Sequence, residues 1–515
     1  MKNTLKKVFL INFSSHQQIE TALILRQKGI EITYWVGRKN NFDNFYANYK
    51  QDFHQTIFHN AYDAMKGIPA ENIDENDFIV PGKNIFDQLQ KCELQSLVIM
   101  SRIDYENTPL IKQRNLFCRY VKYWFGVLVR FRPDAVIFPD IPHNAFTYVI
   151  YCLARILGIQ TIMYKRTKGI LDGLLFFNDF TDYKKLREEY KKVLATDFTL
   201  DDLSEQLRDY YLKEIDIKSK AHLIHNKETY SYIKEKSKGC QVVPSAEIIA
   251  KNIKKGTFWR TAKAYLSMLF SKKRIDGISR QVFWGWQLNI MNYKWNKMKD
   301  RYRKEYEGLQ IQPDFSRNYV YVPLHLQPEC TTNPMGDIFD SQILMLEVLS
   351  AALPENWIIY VKENPMQWKC PQGYVGRYEG YYRAMAKIKN VFLIPAATST
   401  YELMLNAKAV ATVTGTAAWE GILRGTPAIL FGYTWFMDCE GVFKAQDADS
   451  CRQALNTIKS GYQVDQNKVI KFLGAVDKIM VKGYSAKKFG RFSKVTPEEN
   501  IRNISEALYK EIISI

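Results

Sequence analysis

Short apolar runs alternate with helical segments at the start of the chain. Apolar residues 8–13 and 30–36 predict two strands, and residues 17–28 between them predict a helix that ends at Gly29. A strand, a helix and a strand in succession are typical of a parallel sheet covered by helices. We therefore expect an N-terminal α/β domain over residues 1–180.

The same alternation begins again near Tyr319 and predicts a second α/β domain over residues 318–490. Its predicted strands are 319–324, 357–362, 391–394, 409–413 and 427–431, and its predicted helices include 338–353, 378–388 and 400–406. Residues 491–515 are predicted as a C-terminal helix. Two α/β domains of this kind place a ligand cleft between them.

The middle of the chain, residues 181–317, is predicted to be a helical insertion or linker. Residues 183–238 are rich in Lys and Glu, whereas residues 251–304 alternate Lys and Arg with aromatic residues, Leu and Met. Residues 258–274 could form a basic amphipathic helix at an anionic membrane surface. A helix packed between the two domains would show the same periodicity, so both interpretations stay open.

Composition narrows the class of protein. The 515 residues are 46% hydrophobic and 14% aromatic, which excludes wholesale disorder and favours more than one core. The net charge of +18 favours anionic partners, unless it only marks a solvated basic face. The sequence contains neither a signal-peptide pattern nor an apolar run of roughly 18 residues. We therefore expect a cytoplasmic protein, either free or peripheral on the inner face of the plasma membrane.

Residues 413–432 are the most informative segment for chemistry. Thr414, Gly415 and Thr416 interrupt a predicted strand just before a helix begins. Hydroxyls and unpaired backbone N–H groups then meet at a helix N-terminus, which favours an anionic group. Glu420 is either a surface acid of that helix or a ligand for the ribose or sugar of a sugar nucleotide.

Three further loops follow predicted strands of the second domain. Parallel strands bring their carboxyl ends to one edge, where ligands of α/β proteins bind. Each loop alone is a weak signal, because Ser and Thr there often cap the next helix, but together they suit a sugar nucleotide. The candidate donor-binding residues in these loops are His325, Gln327, Glu329, Thr331, Lys362, Asn364, Pro365, Thr398 and Ser399.

The first domain offers a second group of candidates. Asp140 and His143 follow an apolar strand, and a carboxylate and an imidazole can share a proton-handling task. Asp140 could be a general base or a nucleophile, or it could cap the helix that begins near Asn144. Ser14 and His16, in the turn after the first strand, are candidate acceptor-binding residues.

No metal site is predicted. The eight cysteines include no CxxC pair and no metal-ligand spacing, which fits a reducing compartment. Asp447 and Asp449 have the spacing of a metal-binding DxD motif, but they precede a helical run and are better explained as an N-cap.

Residues 321–443 resemble the capsule polysaccharide biosynthesis proteins, which include the Kdo transferases of capsule and lipopolysaccharide assembly. The resemblance covers about a quarter of the chain. It is carried by V-P-L-H-L-Q-P-E at 322–329 with Thr331, Thr332 and Pro334, V-K-E-N-P at 361–365, T-V-T-G-T-A-A-W-E at 412–420, G-T-P at 425–427, F-G at 431–432 and D-C-E-G-V-F at 438–443. Asp140 to His143 is similar to the acidic motif of the family, more loosely.

The resemblance implies a GT-B-like α/β fold with two Rossmann-like domains facing a cleft, in which the N-terminal domain (1–180) binds the acceptor and the C-terminal domain (318–490) binds the nucleotide sugar. It also implies a glycosyltransferase that moves Kdo or a related nonulosonic acid from a CMP-activated donor to a surface-polysaccharide or glycolipid acceptor, with no metal and no cofactor. Lys362 to Pro365 looks like the Lys-x-His-Pro element that contacts CMP, with Asn364 in place of the usual His. Asparagine can donate a hydrogen bond to phosphate but cannot protonate a leaving group. His325 or a nearby lysine could offset the sugar carboxylate.

Two other functions stay open on the sequence. A GT-B transferase with a UDP- or GDP-sugar would need a group for a second phosphate, for which Arg424 is the nearby candidate if it does not stabilise its helix end. A non-catalytic binder of anionic glycan or nucleic acid would use the basic aromatic residues. Donor sugar, linkage and anomeric outcome stay open as well.

Overall fold

The computed structural model describes residues 5–38, 52–71, 73–104, 107–167, 169–216, 250, 253–254, 256, 258–276, 280–370 and 372–515. These residues form two mostly parallel sheets covered by helices, and each sheet is the centre of one α/β domain. The predicted α/β class with two Rossmann-like domains is confirmed. None of the helices among these residues is long and apolar enough to cross a membrane.

The first sheet has seven strands in the order β15-β6-β5-β4-β1-β2-β3. Its strands are β1 (Lys7–Ile11), β2 (Glu31–Gly37), β3 (Ile57–Asn60), β4 (Ala135–Phe138), β5 (Gln160–Arg166), β6 (Gly173–Phe177) and β15 (Val481–Lys482). Strands β1 to β5 run parallel, whereas β6 is antiparallel to β5. Its helices are α1 (His16–Gln27), α2 (Ala61–Met65), α3 (Lys83–Gln88), α4 (Gln90–Ser101), α5 (Leu110–Phe131) and α6 (Ala145–Ile156).

The second sheet has six parallel strands in the order β11-β10-β9-β12-β13-β14. Its strands are β9 (Tyr319–Pro323), β10 (Ile358–Lys362), β11 (Val391–Ile394), β12 (Ala409–Thr412), β13 (Ala428–Leu430) and β14 (Val442–Lys444). Its helices are α11 (Gln342–Ala352), α12 (Tyr381–Ala386), α13 (Thr400–Asn406), α14 (Thr416–Leu423) and α15 (Ala448–Lys459). The central strands are buried on both faces, which is why they are continuous apolar runs in the sequence.

Among the described residues of the predicted insertion, the structure has four α-helices and two strands. They are α7 (Lys184–Leu194), α8 (Glu205–Ile215), α9 (Phe258–Leu269), β7 (Lys272–Asp276), β8 (Arg280–Trp284) and α10 (Gly285–Glu307). The predicted basic helix over residues 258–274 is wrong in its last part, because α9 ends at Leu269 and the chain continues as a β-hairpin. Of the predicted charged helical segment 183–238, residues 217–238 lie outside the described residues.

The end of the chain returns to the first domain. Helix α16 (Gln466–Ile479) packs on α7, and α18 (Pro497–Ile513) packs on α1. Between them, β15 pairs with β6, and the short helix α17 (Lys487–Gly490) follows. The chain thus returns to the first domain at α16, well before the predicted domain boundary at 490, because the apolar face of α16 packs on α7. This crossing places residues of both domains around one cleft.

Candidate functional site

The strand order reverses at one place in each sheet. The first sheet reverses between β1 and β4, and the second reverses between β9 and β12. Loops that follow such a pair of strands open into the crevice where ligands of α/β proteins bind. The candidate site therefore consists of the loops after β1 and β4 on one side, and those after β9, β10 and β12 on the other.

His325 follows β9 and holds the loop that follows β12. Its Nε2 atom lies 2.9 Å from the Thr412 hydroxyl and accepts a hydrogen bond from the Thr414 backbone N–H at 3.2 Å. Because a backbone N–H can only donate, Nε2 is the acceptor in the contact with Thr414. His325 thus ties the loop after β9 to the loop after β12.

The N-terminus of α14 is open at its first turn. Gly415 is the N-cap, and no side chain among the described residues caps this helix. A Cβ at Gly415 would lie 2.7 Å from the Thr412 hydroxyl, so the loop requires glycine there. Thr414 donates its hydroxyl to the Thr331 carbonyl at 2.6 Å, which ties two of the predicted loops together. Backbone N–H groups of this turn, beside Thr416, are placed to receive an anion.

Lys362 ends β10 as a buried cation with neutral neighbours. Its Nζ donates to the Thr398 carbonyl at 2.8 Å and to the Thr400 hydroxyl at 2.5 Å. Burial lowers the pKa of Lys362 to about 8. A buried ammonium held by neutral oxygens is incompletely compensated, so an anionic ligand beside it would gain strongly from the interaction.

The next residue, Glu363, fixes the loop that carries Lys362. Its carboxylate accepts two hydrogen bonds from the Arg377 guanidinium, at 2.7 and 2.9 Å, and both side chains are fully buried. It also accepts from the Tyr382 hydroxyl and from the Asn364 backbone N–H. Arg377 donates in addition to the His325 carbonyl at 3.1 Å, so one ion pair locks the loops after β9 and β10.

Gln327, a predicted donor-binding residue, has its amide engaged by the protein. Its Nε2 donates to the Asp340 carbonyl at 2.9 Å, and its Oε1 accepts from Gln342 at 2.9 Å and from Arg377 at 2.7 Å. The structure therefore places Gln327 in the support of the loop.

Several other predicted donor-binding residues shape the loops in which they lie. Asn364 accepts a hydrogen bond from the backbone two residues further on, at 3.0 Å, and Pro365 follows it inside that turn. Ser399 caps the first turn of α13, and Glu329 accepts a long hydrogen bond of 3.5 Å from Thr331. Capping and turn formation account for the residue types at these positions.

Glu420 lies on α14 one turn after Thr416 and beside a buried ion pair. Glu214, from α8, places its Oε2 3.1 Å from Nη2 of Arg424, and both side chains are at least 91% buried. Burial and the Glu214 charge raise the pKa of Glu420 to about 7, although Arg424 and a hydrogen bond from Thr416 lower it. Glu420 is thus a partly buried acid that titrates near neutral pH, unlike an ordinary surface glutamate.

Asp140 forms the opposite wall of the cleft with Lys165, at the end of β5. Lys165 Nζ lies 3.4 Å from Asp140 Oδ1, and the Asp140 side chain remains 45% exposed. Desolvation raises the pKa of Asp140, but the charges of Lys165 and His143 outweigh it and lower the pKa below its usual value. The sequence left open whether Asp140 caps the next helix. Asn144 holds that position at the start of α6.

His143 turns its ring toward the other domain. Its Nδ1 lies 2.7 Å from the Ile141 carbonyl, and the ring also bonds to the Cys330 sulfur. Burial lowers the pKa of His143, but the Cys330 hydrogen bond and the charges of Cys330 and Asp140 outweigh it and raise the pKa to about 9. At neutral pH the ring is therefore an imidazolium that adds positive charge beside Asp140.

The two predicted acceptor-binding residues lie at the start of α1. The Ser14 hydroxyl accepts a hydrogen bond from the Arg38 backbone N–H at 3.1 Å. The His16 side chain is 83% exposed, with Nδ1 3.9 Å from the Glu20 carboxylate. Both follow β1 at the reversal point of the first sheet, beside the loop of Asp140.

Two cations of the cleft were missed by sequence reasoning. Lys165 and Arg166, from β5, line a cavity together with Thr331, Thr414 and Thr416 from the second domain. The loop of Thr414 and Thr416, which was predicted to bind an anionic group, thus faces positively charged side chains of the first domain. The signal that could have found them is their position at the end of the apolar run that forms β5, where the ligand edge of the sheet lies.

The DxD-like pair has the capping role that the sequence favoured. Asp447 is the N-cap of α15 and accepts from the Ser450 backbone N–H at 2.8 Å. Across the described ranges, no group of three or more His, Cys, Asp and Glu residues is placed to hold a metal ion.

Fold and site together define an α/β protein of two Rossmann-like domains with a cationic cleft between them. Residues 272–470 match the family described as capsule polysaccharide biosynthesis protein. This match contains the whole of the motif block at 321–443, so the predicted resemblance is confirmed. A search of the curated proteins finds no match.

Solved structures of sugar-nucleotide enzymes show distant likeness. UDP-GlcNAc 2-epimerase from Methanocaldococcus jannaschii has a TM-score of 0.23 and 11% identity, over 90% of this chain and 95% of that chain. KpsC from Thermosulfurimonas dismutans, a beta Kdo 2,7 transferase, has a TM-score of 0.22 and 12% identity, over 44% of this chain and 67% of that chain. Similarity this low carries no functional argument.

Proposed function

We propose that the chain is a glycosyltransferase of capsule polysaccharide synthesis. In this proposal it transfers a keto-deoxy sugar, Kdo or a related nonulosonic acid, from a CMP-activated donor to a surface-glycan or glycolipid acceptor. The family match at residues 272–470 supports the pathway, and the chemistry of the cleft supports the class of donor.

The observation that carries the proposal is the environment of Lys362. Its ammonium is buried against two neutral oxygens at the carboxyl edge of the second sheet, and its pKa is lowered to about 8. The phosphate of a nucleotide sugar would supply the missing negative charge. The open first turn of α14 offers backbone N–H groups at the same edge, so the leaving phosphate would be stabilised from two directions.

Asp140 is proposed as the group that acts on the sugar. Its lowered pKa keeps it a carboxylate at neutral pH, and this makes it a weaker base than an ordinary aspartate. As a nucleophile it would attack the anomeric carbon, whose bond to the phosphate oxygen breaks with the electron pair leaving on CMP. The acceptor oxygen would then bond to that carbon as its bond to Asp140 breaks, the electron pair returning to the carboxylate and the hydroxyl proton passing to solvent. In the alternative single displacement, Asp140 would take the proton of the acceptor hydroxyl.

A donor with a pyrophosphate, such as a UDP- or GDP-sugar, is the second candidate. Arg424 does not favour it, because this residue pairs with Glu214 and donates to the Glu420 carbonyl at 2.8 Å. Lys165 and Arg166 do favour it, since they bring two further cations to the cavity. The same cations would equally offset the carboxylate of a keto sugar.

Calorimetric titration of the full chain with CMP and with UDP tests the proposal. We expect CMP to bind at least about tenfold more tightly, and Lys362→Met to weaken CMP binding by a similar factor, as for a lost charge-assisted hydrogen bond. Asp140→Asn serves as the matched variant, and it should bind CMP normally. Tighter binding of UDP would favour the second candidate, and failure to bind either nucleotide would refute both.

A further inference from the structure

Helix α9, the strand pair β7 and β8, and the first half of α10 pack together, and we call these residues, 258–276 and 280–294, the aromatic hairpin. Strands β7 and β8 pair antiparallel at its centre. The Gly285 N–H, at the start of α10, donates to the Ser271 carbonyl at 3.0 Å. A Cβ on Gly285 would lie only 2.1 Å from the Met268 carbonyl oxygen, so glycine permits the two helices to meet closely.

Large apolar side chains of the aromatic hairpin are exposed. Trp259 is 81% exposed, Phe270 66% and Tyr293 60%. The others that are more than a third exposed are Leu266, Trp284, Trp286 and Ile290. Soluble proteins seldom expose so many large apolar groups in one region, and such patches mark interaction sites.

The same unit is strongly basic. Between residues 258 and 294 its one acid is Asp276, and its cations are Arg260, Lys263, Lys272, Lys273, Arg274, Arg280 and Lys294. Lys272 Nζ lies 5.1 Å from the centre of the Trp284 ring. Tryptophan beside lysine is the pairing found at the level of lipid headgroups, where the ring is partly buried and the charge meets phosphate.

We propose that the aromatic hairpin docks the protein on a bilayer that contains anionic phospholipid. The charge is complementary to anionic headgroups, and the apolar side chains match the headgroup–acyl boundary. Leu266 and Ile290 favour lipid over a soluble polyanion, because stacking and ion pairing with nucleic acid or glycan leave aliphatic side chains without a role. The docking does not depend on which sugar nucleotide the cleft binds.

Helix α10 links this surface to the proposed donor site. In its second half, Lys299 donates to the Cys370 carbonyl at 3.2 Å, and the Trp295 ring stacks on Tyr374 with centroids 4.8 Å apart. Near its end, the Tyr306 hydroxyl accepts from the Glu363 backbone N–H at 2.9 Å, next to Lys362. Trp286 and Tyr306 lie about 30 Å apart along the helix, so α10 joins the aromatic hairpin to the donor loop.

Flotation of the full-length protein with vesicles tests the proposal. The two vesicles are pure phosphatidylcholine and phosphatidylcholine with phosphatidylglycerol, both at physiological salt. We expect binding to the anionic vesicles and roughly tenfold weaker binding by the double variant Lys263→Glu with Lys294→Glu. The matched charge control is Lys112→Glu with Lys459→Glu, which reverses two exposed lysines elsewhere and should bind as the unmodified protein does.

A second pair of variants tests the apolar contribution. Phe270→Ala with Ile290→Ala should weaken binding by at least about tenfold, whereas Leu110→Ala with Ile111→Ala, equally exposed on α5, should not. Thermal unfolding of each variant shows that the fold is intact. Equal binding to both vesicles, or no binding to either, would overturn the proposal. The proposal would also be overturned if Phe270→Ala with Ile290→Ala self-associates more weakly in light scattering and still binds vesicles. The aromatic hairpin would then join two copies of the chain.

Vesicle binding tests the docking surface and nucleotide binding tests the proposed function, so the failure of one proposal can be told from the failure of the other. A chain that floats with anionic vesicles but binds neither CMP nor UDP would keep the docking surface and lose the proposed transferase activity. The surface would instead belong to a polyanion if RNA binds the protein, binds Lys263→Glu with Lys294→Glu more weakly, and binds Phe270→Ala with Ile290→Ala as tightly as the unmodified protein.

Discussion

The ammonium nitrogen of Lys165 lies 3.6 Å from the sulfur of Cys330, although these two residues belong to different domains. The same nitrogen lies 3.4 Å from the Asp140 carboxylate. Burial raises the pKa of the Cys330 thiol, but the charge of Lys165 and the hydrogen bond with His143 outweigh it and lower the pKa. The reactivity of the Cys330 thiol therefore depends on the charges that surround the cleft.

We expect Lys165→Met to slow the alkylation of Cys330 by iodoacetamide at neutral pH. Loss of the lysine charge raises the pKa of the thiol, and each unit of pKa lowers the thiolate fraction about tenfold. Peptide mass spectrometry would follow the rate against pH. Cys118 is an internal control, because burial raises the pKa of its thiol and Lys165 does not act on it. An unchanged rate at Cys330 would contradict the contact across the cleft.

A second prediction concerns the pH dependence of donor binding at Lys362. The protonated lysine binds phosphate, so donor affinity should fall as the pH rises through about 8, where the free protein loses this proton. Calorimetry with CMP at pH values from 6 to 9, about the range around that pKa, would show the fall. Lys362→Met should remove it. Lys387→Met, at an exposed lysine directly after α12, is the control that should keep it.

The third prediction separates the two interpretations of Glu420. If its carboxylate accepts ribose hydroxyls, donor affinity should rise with pH through about 7, the pKa to which burial and Glu214 raise it. Glu214→Gln removes one negative neighbour, so this rise should move to lower pH. Glu420→Gln should abolish it. Affinity that is flat across this range in the unmodified protein would make Glu420 a structural acid.

A fourth prediction concerns stability. Arg377→Met leaves the Glu363 carboxylate in a fully buried site without its partner, and should lower the free energy of unfolding by about 3–5 kcal/mol. Urea denaturation measures this change. The surface pair Arg301 and Glu379, at least 60% exposed, gives the matched control: Arg301→Met should cost less than about 1 kcal/mol. Equal costs would mean that the buried pair does not hold the loops.

The second sheet was predictable because its strands are buried on both faces. The predicted strand 391–394 and helix 400–406 match β11 and α13 to the residue, and the neighbouring strands differ by one or two residues at their ends. The pattern failed where a strand is short or partly exposed. Strands β3, at residues 57–60, and β14, at residues 442–444, are short and partly exposed and were not predicted, and β15 has only two residues.

The candidate site was predictable only in part. The ends of the strands could be located in the sequence, so Lys362 was placed at the end of its strand and Thr416 at the start of its helix. The sequence could not show which side chains already have protein partners. Gln327 was predicted as a donor ligand because of its position, yet its amide bonds to three protein groups. Glu214 is 210 positions from Arg424, and such a pairing follows from packing rather than from local pattern.

The last prediction concerns the role of Asp140. A carboxylate beside Lys165, with a lowered pKa and 45% exposure, is suited to attack an anomeric carbon and is a weak base. Intact-protein mass spectrometry after incubation with CMP-Kdo should therefore show one sugar added, mapped to the peptide that contains Asp140. Asp140→Ala should bind CMP, form no adduct and transfer no sugar. Lys165→Met removes a cation that would face the anionic donor in the cleft, and should form the adduct more slowly. If Asp140→Ala is inactive and the unmodified enzyme forms no adduct during turnover, Asp140 acts as the base of a single displacement. Normal turnover by Asp140→Ala would remove it from the reaction.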